Sequence, residues 1–298
     1  MPPSLPRLKP APIPAIRPVP EHRADAALLA LYEETKAAFQ VPWMGVVTMA
    51  FAAYPSFWRT LWAGLAPLAR TRAFVDACAE LRAAADAEAA ALAPRPLAPA
   101  LREAGYAPAE IEEIRALVEV FSHGNMPYLL TATVARLRLE GEAATAAGDA
   151  SPFAGRHGPA APGARLTLME AHHASPETRA LYDRVETRLG LPFVNTDYRA
   201  YARWPSAFAL AWAELETHMD GPDHGPAVDR LHDRAVALAR ALPDPGALSP
   251  QALRTAARHD APEAEVLDVV RLFQWLLPGL IANVAVFRAQ LLHPEEGR

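Results

Sequence analysis

Apolar residues recur every three to four positions along most of this chain, with Ala, Leu, Arg and Glu between them. The period-two alternation of Val, Ile or Thr that marks a strand is nearly absent. The pattern predicts an all-α fold. It places helices at about 25–39, 46–53, 55–66, 72–92, 108–121 and 127–142, then at about 175–189, 196–203, 205–218, 226–241, 249–258, 263–276 and 279–292. Tyr54-Pro55-Ser56 and Trp204-Pro205-Ser206 each interrupt a long periodic stretch, because proline suits a first helical turn and damages an interior one. A short helix followed by a longer one is expected at both places.

Those two places belong to a repeat. Residues 191–215 match residues 41–65 at an offset of 150, and eleven of the 36 pairs in 30–65 against 180–215 are identical. Further on, Pro127-Tyr128-Leu129 pairs with Pro278-Gly279-Leu280 at an offset of 151. Before Pro127 the first copy carries Ser122-His123-Gly124-Asn125-Met126, read as a loop, where the second copy runs through Trp275-Leu276-Leu277. The expected organisation is a proline-rich arm (1–23), a first helical repeat (24–142), a linker rich in Ala, Gly and Pro (143–165) and a second repeat (166–298). Such a tandem duplication packs as an intramolecular pseudo-dimer, with the segments at 122–126 and 194–197 expected to line a shared cleft.

Composition narrows the function. A formal net charge of −5 gives no electrostatic case for nucleic acid. Cys78 is the only cysteine, which excludes an internal disulfide, a thiolate zinc site and the CxxC chemistry of the small helical peroxidase reductases, and points to a reducing, cytoplasmic setting. The first 20 residues hold eight prolines and predict a polyproline-like arm rather than a secretion signal. The longest apolar run, Leu272 to Phe287, contains Gln274, Pro278, Gly279 and Asn283; it reads as buried helix, too short and interrupted to span a membrane. Neither a cofactor nor a metal is expected: His172-His173 and the Asp220, Asp223, His224 group lack ligand spacing, and adjacent histidines on a helix point different ways.

The two copies differ where Asn195-Thr196-Asp197 stands against Gly45-Val46-Val47, so the fold does not require polar residues there. Asp197 reads either as a helix cap or as a general base, a carboxylate that takes a proton from water in an apolar pocket. Asn125 reads either as a turn residue or as an uncharged amide that orients a water without competing for its proton. Trp43 and Phe193 read as core or pocket wall, Trp62 and Trp212 as core, and His123 as a loop histidine.

The stretch Leu191 to Ser206, LPFVNTDYRAYARWPS, together with Val41-Pro42-Trp43 and Asn125-Met126-Pro127-Tyr128, resembles the group I 2-haloacid dehalogenases over nearly the whole chain outside the arm and linker. That resemblance implies hydrolysis of a 2-halocarboxylic acid to the 2-hydroxy acid by direct attack of water on C2, with inversion and no ester intermediate. It implies Asp197 as the base, Asn125 as its water-orienting partner, and Trp43, Gly45, Val46, Tyr128, Asn195 and Thr196 as pocket residues. Asn two places before the aspartate is similar to D-specific members, whereas non-stereospecific members have a small residue there. Gly45, small and in the equivalent place, is read as enlarging the other side of the pocket and keeps the non-stereospecific alternative open. A homodimer is the expected assembly. The alternative of another class is a helical protein that binds a small carboxylate without turning it over.

Overall fold

The computed structural model describes residues 5–144, 148–159 and 166–292. The first four residues of the arm, residues 145–147 and 160–165 of the linker and the last six of the second repeat lie outside the described residues. Among the described residues the regular structure is helical: α1 (Ala26–Phe39), α2 (Val46–Phe51), α3 (Pro55–Ala69), α4 (Arg72–Leu92), α5 (Ala98–Glu103), α6 (Pro108–Leu139), α7 (Pro176–Leu189), α8 (Thr196–Tyr201), α9 (Pro205–Asp220), α10 (His224–Ala241), α11 (Pro250–Asp260) and α12 (Glu263–Leu292). The all-α reading holds.

Local chemistry accounts for most of the boundaries. The Asp25 carboxylate accepts the Leu28 N–H at the start of α1, and the Ser175 hydroxyl accepts the Thr178 N–H at the start of α7. Pro55 and Pro205 stand at the first positions of α3 and α9, as expected. Gln40 and Gly190 close α1 and α7 in the left-handed conformation, again 150 residues apart.

Three expectations need correction. The Ser122–Met126 segment is not a loop, because α6 runs unbroken through Pro127, and α12 likewise runs through Pro278. An interior proline forfeits one backbone bond, here to the carbonyl of His123 or Gln274. Every residue from Val120 to Leu139 is buried, and burial on that scale outweighs the lost bond. The Leu272–Phe287 run thus belongs to a 30-residue helix that is long enough for a membrane, yet 83% of its most apolar window is buried inside the protein, as the buried-helix reading requires. The six-residue α5 was not expected; it is too short to show a period.

The chain divides into two compact units that do not follow chain order. One comprises Met1–Ala84, His123–Gly158 and Val228–Leu280; the other comprises Ala85–Ser122, Pro159–Ala227 and Ile281–Arg298. In the first unit α3 lies along α11, and a Cβ on Gly246 would stand 2.2 Å from the Gly64 carbonyl oxygen, so glycine permits the close approach of the two backbones. The proline-rich arm is fastened to this unit. Arg7 donates to the Trp275 carbonyl (3.0 Å) and pairs with Asp229, and both Arg7 and Lys9 lie over the Trp275 ring. Farther along, the Val19 N–H donates to Met49 and the Tyr32 hydroxyl to the Val19 carbonyl. In the second unit the same two bonds recur 150 residues later: the Met169 N–H donates to the Arg199 carbonyl, and the Tyr182 hydroxyl to the Met169 carbonyl.

Candidate active site

The residues singled out from the sequence fall into two groups, one in each unit. Trp43, Gly45, Val46, Asn125 and Tyr128 belong to the first; Asn195, Thr196 and Asp197 belong to the second.

In the first group the segment before α2 is held against the second half of α6. The Tyr128 hydroxyl donates to the Trp43 carbonyl at 2.7 Å, and the two rings meet at 5.9 Å. Gly45 is the residue before α2, and a Cβ there would stand 2.9 Å from the Tyr128 ring. The space that glycine leaves is therefore taken by the Tyr128 ring, and Gly45 does not enlarge a pocket on this side. Trp43 is buried and Val46 half-buried. Asn125 is 3% exposed in the interior of α6, so the turn or capping reading does not hold for it.

Gly124 is a further residue of this group that the sequence pattern does not point to. It lies inside a helix, where glycine is unfavourable by about 1 kcal/mol against alanine. A Cβ on it would stand 2.1 Å from the Trp43 ring, so its bareness is what lets the indole lie on α6. His123, one residue earlier, is also no loop histidine. Its Nε2 meets the Phe39 carbonyl at 3.0 Å, which requires the proton on that nitrogen, and its ring lies 5.4 Å from that of His157. Burial, above all, pushes its pKa down from 6.5 to about 4. Between those values the unfolded chain takes up a proton that the folded chain refuses. The His123 contribution is therefore complete above pH 6.5 and is lost as pH falls toward 4, by up to about 3 kcal/mol. Urea unfolding at pH 7 and pH 5 is expected to show a clear drop in stability for the wild type and a smaller one for His123→Gln; equal drops would exclude this histidine as the cause.

In the second group Asn195 occupies the cap position of α8, but its side chain makes no capping bond. Thr196 and Asp197 are the first two helical residues, and all three are buried, at 7%, 7% and 6% exposure. Asp197 is thus not a cap residue; it stands in the first turn, where the positive end of the helix favours a carboxylate. The Asn195 Oδ1 is buried without a hydrogen-bond partner, a state that costs free energy unless something else meets it. Behind this segment Arg199 grips both oxygens of Glu170 at 2.8 Å, and the Tyr198 hydroxyl accepts from Asn283 Nδ2 at 2.8 Å.

The other candidates carry less. His172 and His173 lie in an exposed turn with their rings 4.0 Å apart, rather than diverging from a helix. Cys78 is buried and its thiol pKa pushed up by burial, which keeps it unreactive. Among the described residues no three His, Cys, Asp or Glu side chains converge as a metal set. Trp62 and Trp212 are fully buried core residues, as expected.

The comparisons with known proteins place this arrangement. The family model described as "Halocarboxylic acid dehydrogenase DehI" matches residues 42–191, a span that takes in the whole first group and stops short of Asn195. An (R)-2-haloacid dehalogenase of Rhizobium sp. (strain NHG3) is 48% identical over 249 residues, covering 82% of this chain and 95% of that one. Another (R)-2-haloacid dehalogenase, from Pseudomonas putida, is 36% identical over 282 residues, covering 93% of each. The solved complex of a D-2-haloacid dehalogenase mutant with D-2-CPA matches with a TM-score of 0.85 at 35% identity, covering 94% of this chain and 97% of that one. Fold and relatives together define the class, the all-helical 2-haloacid dehalogenases, which are hydrolases of carbon–halide bonds. The chain belongs to the DehI family, and the resemblance carried by Leu191–Ser206 is borne out.

Proposed function

We propose that the chain hydrolyses short 2-haloalkanoic acids, the D enantiomer preferred, to 2-hydroxy acids by attack of water on C2. The oxygen of water forms the new bond to C2 as the carbon–halogen bond breaks on the opposite side, so configuration inverts and the halide leaves with the bonding pair. Asp197 takes the proton from that water, and no covalent link to the protein forms. The resemblance implies Asn125, an uncharged amide in the interior of α6, as the water-orienting group. Thr196, beside Asp197 in the same turn, serves as polar lining, and the resemblance implies Trp43, Val46 and Tyr128 as further pocket residues.

The observation that carries this reading is the buried Asn195-Thr196-Asp197 turn: a carboxylate at the start of a helix, with an amide oxygen beside it that no protein group satisfies. Asn195, standing two residues before the base, is the gate that admits one enantiomer. The Tyr128 ring fills the space beside Gly45, which supports a preference for one hand.

Halide release from separate D- and L-2-chloropropionate tests the proposal. The wild type is expected to release chloride from the D enantiomer and yield the L-hydroxy acid. Asn195→Ala is expected to gain activity on the L enantiomer by about 10-fold or more, the scale on which a repositioned water changes a rate. An unchanged D to L ratio would remove Asn195 as the gate. Uptake of the haloacid without any halide release would favour a carboxylate-binding protein instead.

A further inference from the structure

Six residues long, α8 has no side chain capping its N-terminus. A helix that short does not hold itself together. Its position has to come from what it is tied to, and the firmest tie starts one residue after Asp197. The Tyr198 ring is fully buried, stacked on Phe208 at 6.0 Å and edge-on to Trp212 and Phe287 at 5.4 and 6.3 Å. Its hydroxyl accepts from Asn283 Nδ2 at 2.8 Å, and Asn283 Oδ1 in turn accepts from His224 Nε2 at 3.0 Å. All three residues are buried, and every bond in the chain points the same way, from His224 through Asn283 to Tyr198, an order in which each bond polarises the next. Burial above all, with the charge of Asp197, keeps the Tyr198 hydroxyl protonated, against the opposing pull of the Asn283 bond.

Among the described residues the first copy carries different side chains at these positions. At the repeat offsets Tyr198 is replaced by Thr48, His224 by Phe74 and Asn283 by Ala132. The alignment of α4 with α10 is secure, since Phe74, Ala77, Cys78, Leu81 and Ala85 are buried, as are His224, Ala227, Val228, Leu231 and Ala235. The Thr48 hydroxyl donates locally, to the carbonyl of Gly45 just before its own helix, at 2.8 Å. The same kind of helix is thus built without a buried polar chain in the copy that lacks the aspartate, and with one in the copy that has it.

We infer that Tyr198, Asn283 and His224 are positioning residues for Asp197: they fix the rotation of α8 about its axis, and with it the direction in which the neighbouring carboxylate points. The inference rests on Asp197 being the base. A displacement of about 1 Å in a reacting group can cost about 10²-fold in rate, so a small turn of α8 is enough to matter.

The test compares kcat and KM for D-2-chloropropionate in wild type, Tyr198→Phe, Asn283→Leu, Asp197→Asn and the Tyr198→Phe/Asp197→Asn double variant, well below each unfolding temperature. Tyr198→Phe is expected to lower kcat about 10-fold or more with KM within about twofold, and to cost nothing further on the residual rate of Asp197→Asn, because a residue that acts only through Asp197 has no effect without it. A network that serves stability alone would lower the unfolding temperature and leave kcat at the wild-type level, which would overturn the inference. So would losses that add in the double variant, or a change in KM alone. If Asn283→Leu does not fold, the near-isosteric Tyr198→Phe decides. Full activity in Asp197→Asn would overturn the inference together with the reading beneath it, whereas an inactive Asp197→Asn beside an unimpaired Tyr198→Phe would overturn the inference alone.

Discussion

Asp197→Asn is expected to fold normally and to release halide about 10²-fold or more slowly than the wild type, the usual scale of general-base catalysis. Asparagine has nearly the shape of aspartate, so the first turn of α8 keeps its packing. The first copy shows that the position needs no charge for folding, since its counterpart Val47 is 3% exposed in the same turn of α2. What the amide lacks is the capacity to take a proton. Chloride release from D-2-chloropropionate at saturating substrate, beside an unfolding curve for each protein, separates lost chemistry from lost structure. Near wild-type release from a folded Asp197→Asn would remove Asp197 from the mechanism.

The second large effect is expected at Gly124, and its sign is informative. Replacing a helical glycine by alanine ordinarily stabilises a helix by about 1 kcal/mol. Here the added methyl would meet the Trp43 ring at 2.1 Å, with a second ring carbon at 2.8 Å, in a stretch of α6 where every residue is buried. Relief requires the buried indole or the helix to shift. Gly124→Ala should therefore destabilise by about 1–3 kcal/mol, the cost of overpacking a filled core, and activity should fall with it as Trp43 leaves its place. Adding Trp43→Phe shortens the opposing ring and should restore much of the stability. Urea unfolding of the single and double variants measures both effects; a Gly124→Ala protein as stable as the wild type would mean that the indole does not rest on α6.

Helical periodicity was legible wherever an element alternates an apolar face with a polar one, and Pro55 and Pro205 marked real boundaries. The same rule failed at Pro127 and Pro278. A proline's local cost is visible in the sequence, whereas the burial that outweighs it comes from parts of the chain far away. A break at Pro127 puts Asn125 and His123 in a loop and makes Gly124 a loop glycine, whereas in the unbroken α6 Gly124 marks the seat of an indole. Asp197 stands out as a candidate because the repeat supplies a control: an equivalent position with no polar residue. The same comparison would have exposed His224 and Asn283. In the sequence His224 reads only as part of a group without ligand spacing, and Asn283 only as an interruption in an apolar run, although a lone amide amid buried apolar residues signals that a partner waits for it.

The interleaved make-up of the two units has a consequence for how the protein is born. The first unit takes three separate stretches of chain and ends at Leu280; the second closes with the residues that follow. As the polypeptide leaves the ribosome, the first repeat emerges entire, yet the segment from Val228 onward that finishes its core has still to be made. Local helices can form at once, but the contacts that fasten them join residues more than a hundred positions apart, as between Tyr54 and Glu265 or Arg138 and Leu248. Such long-range closure slows folding and leaves apolar helix faces uncovered during synthesis. A chain that stops before Val228 would leave the core of the first unit unfinished, so this unit can close only once nearly the whole polypeptide has been made.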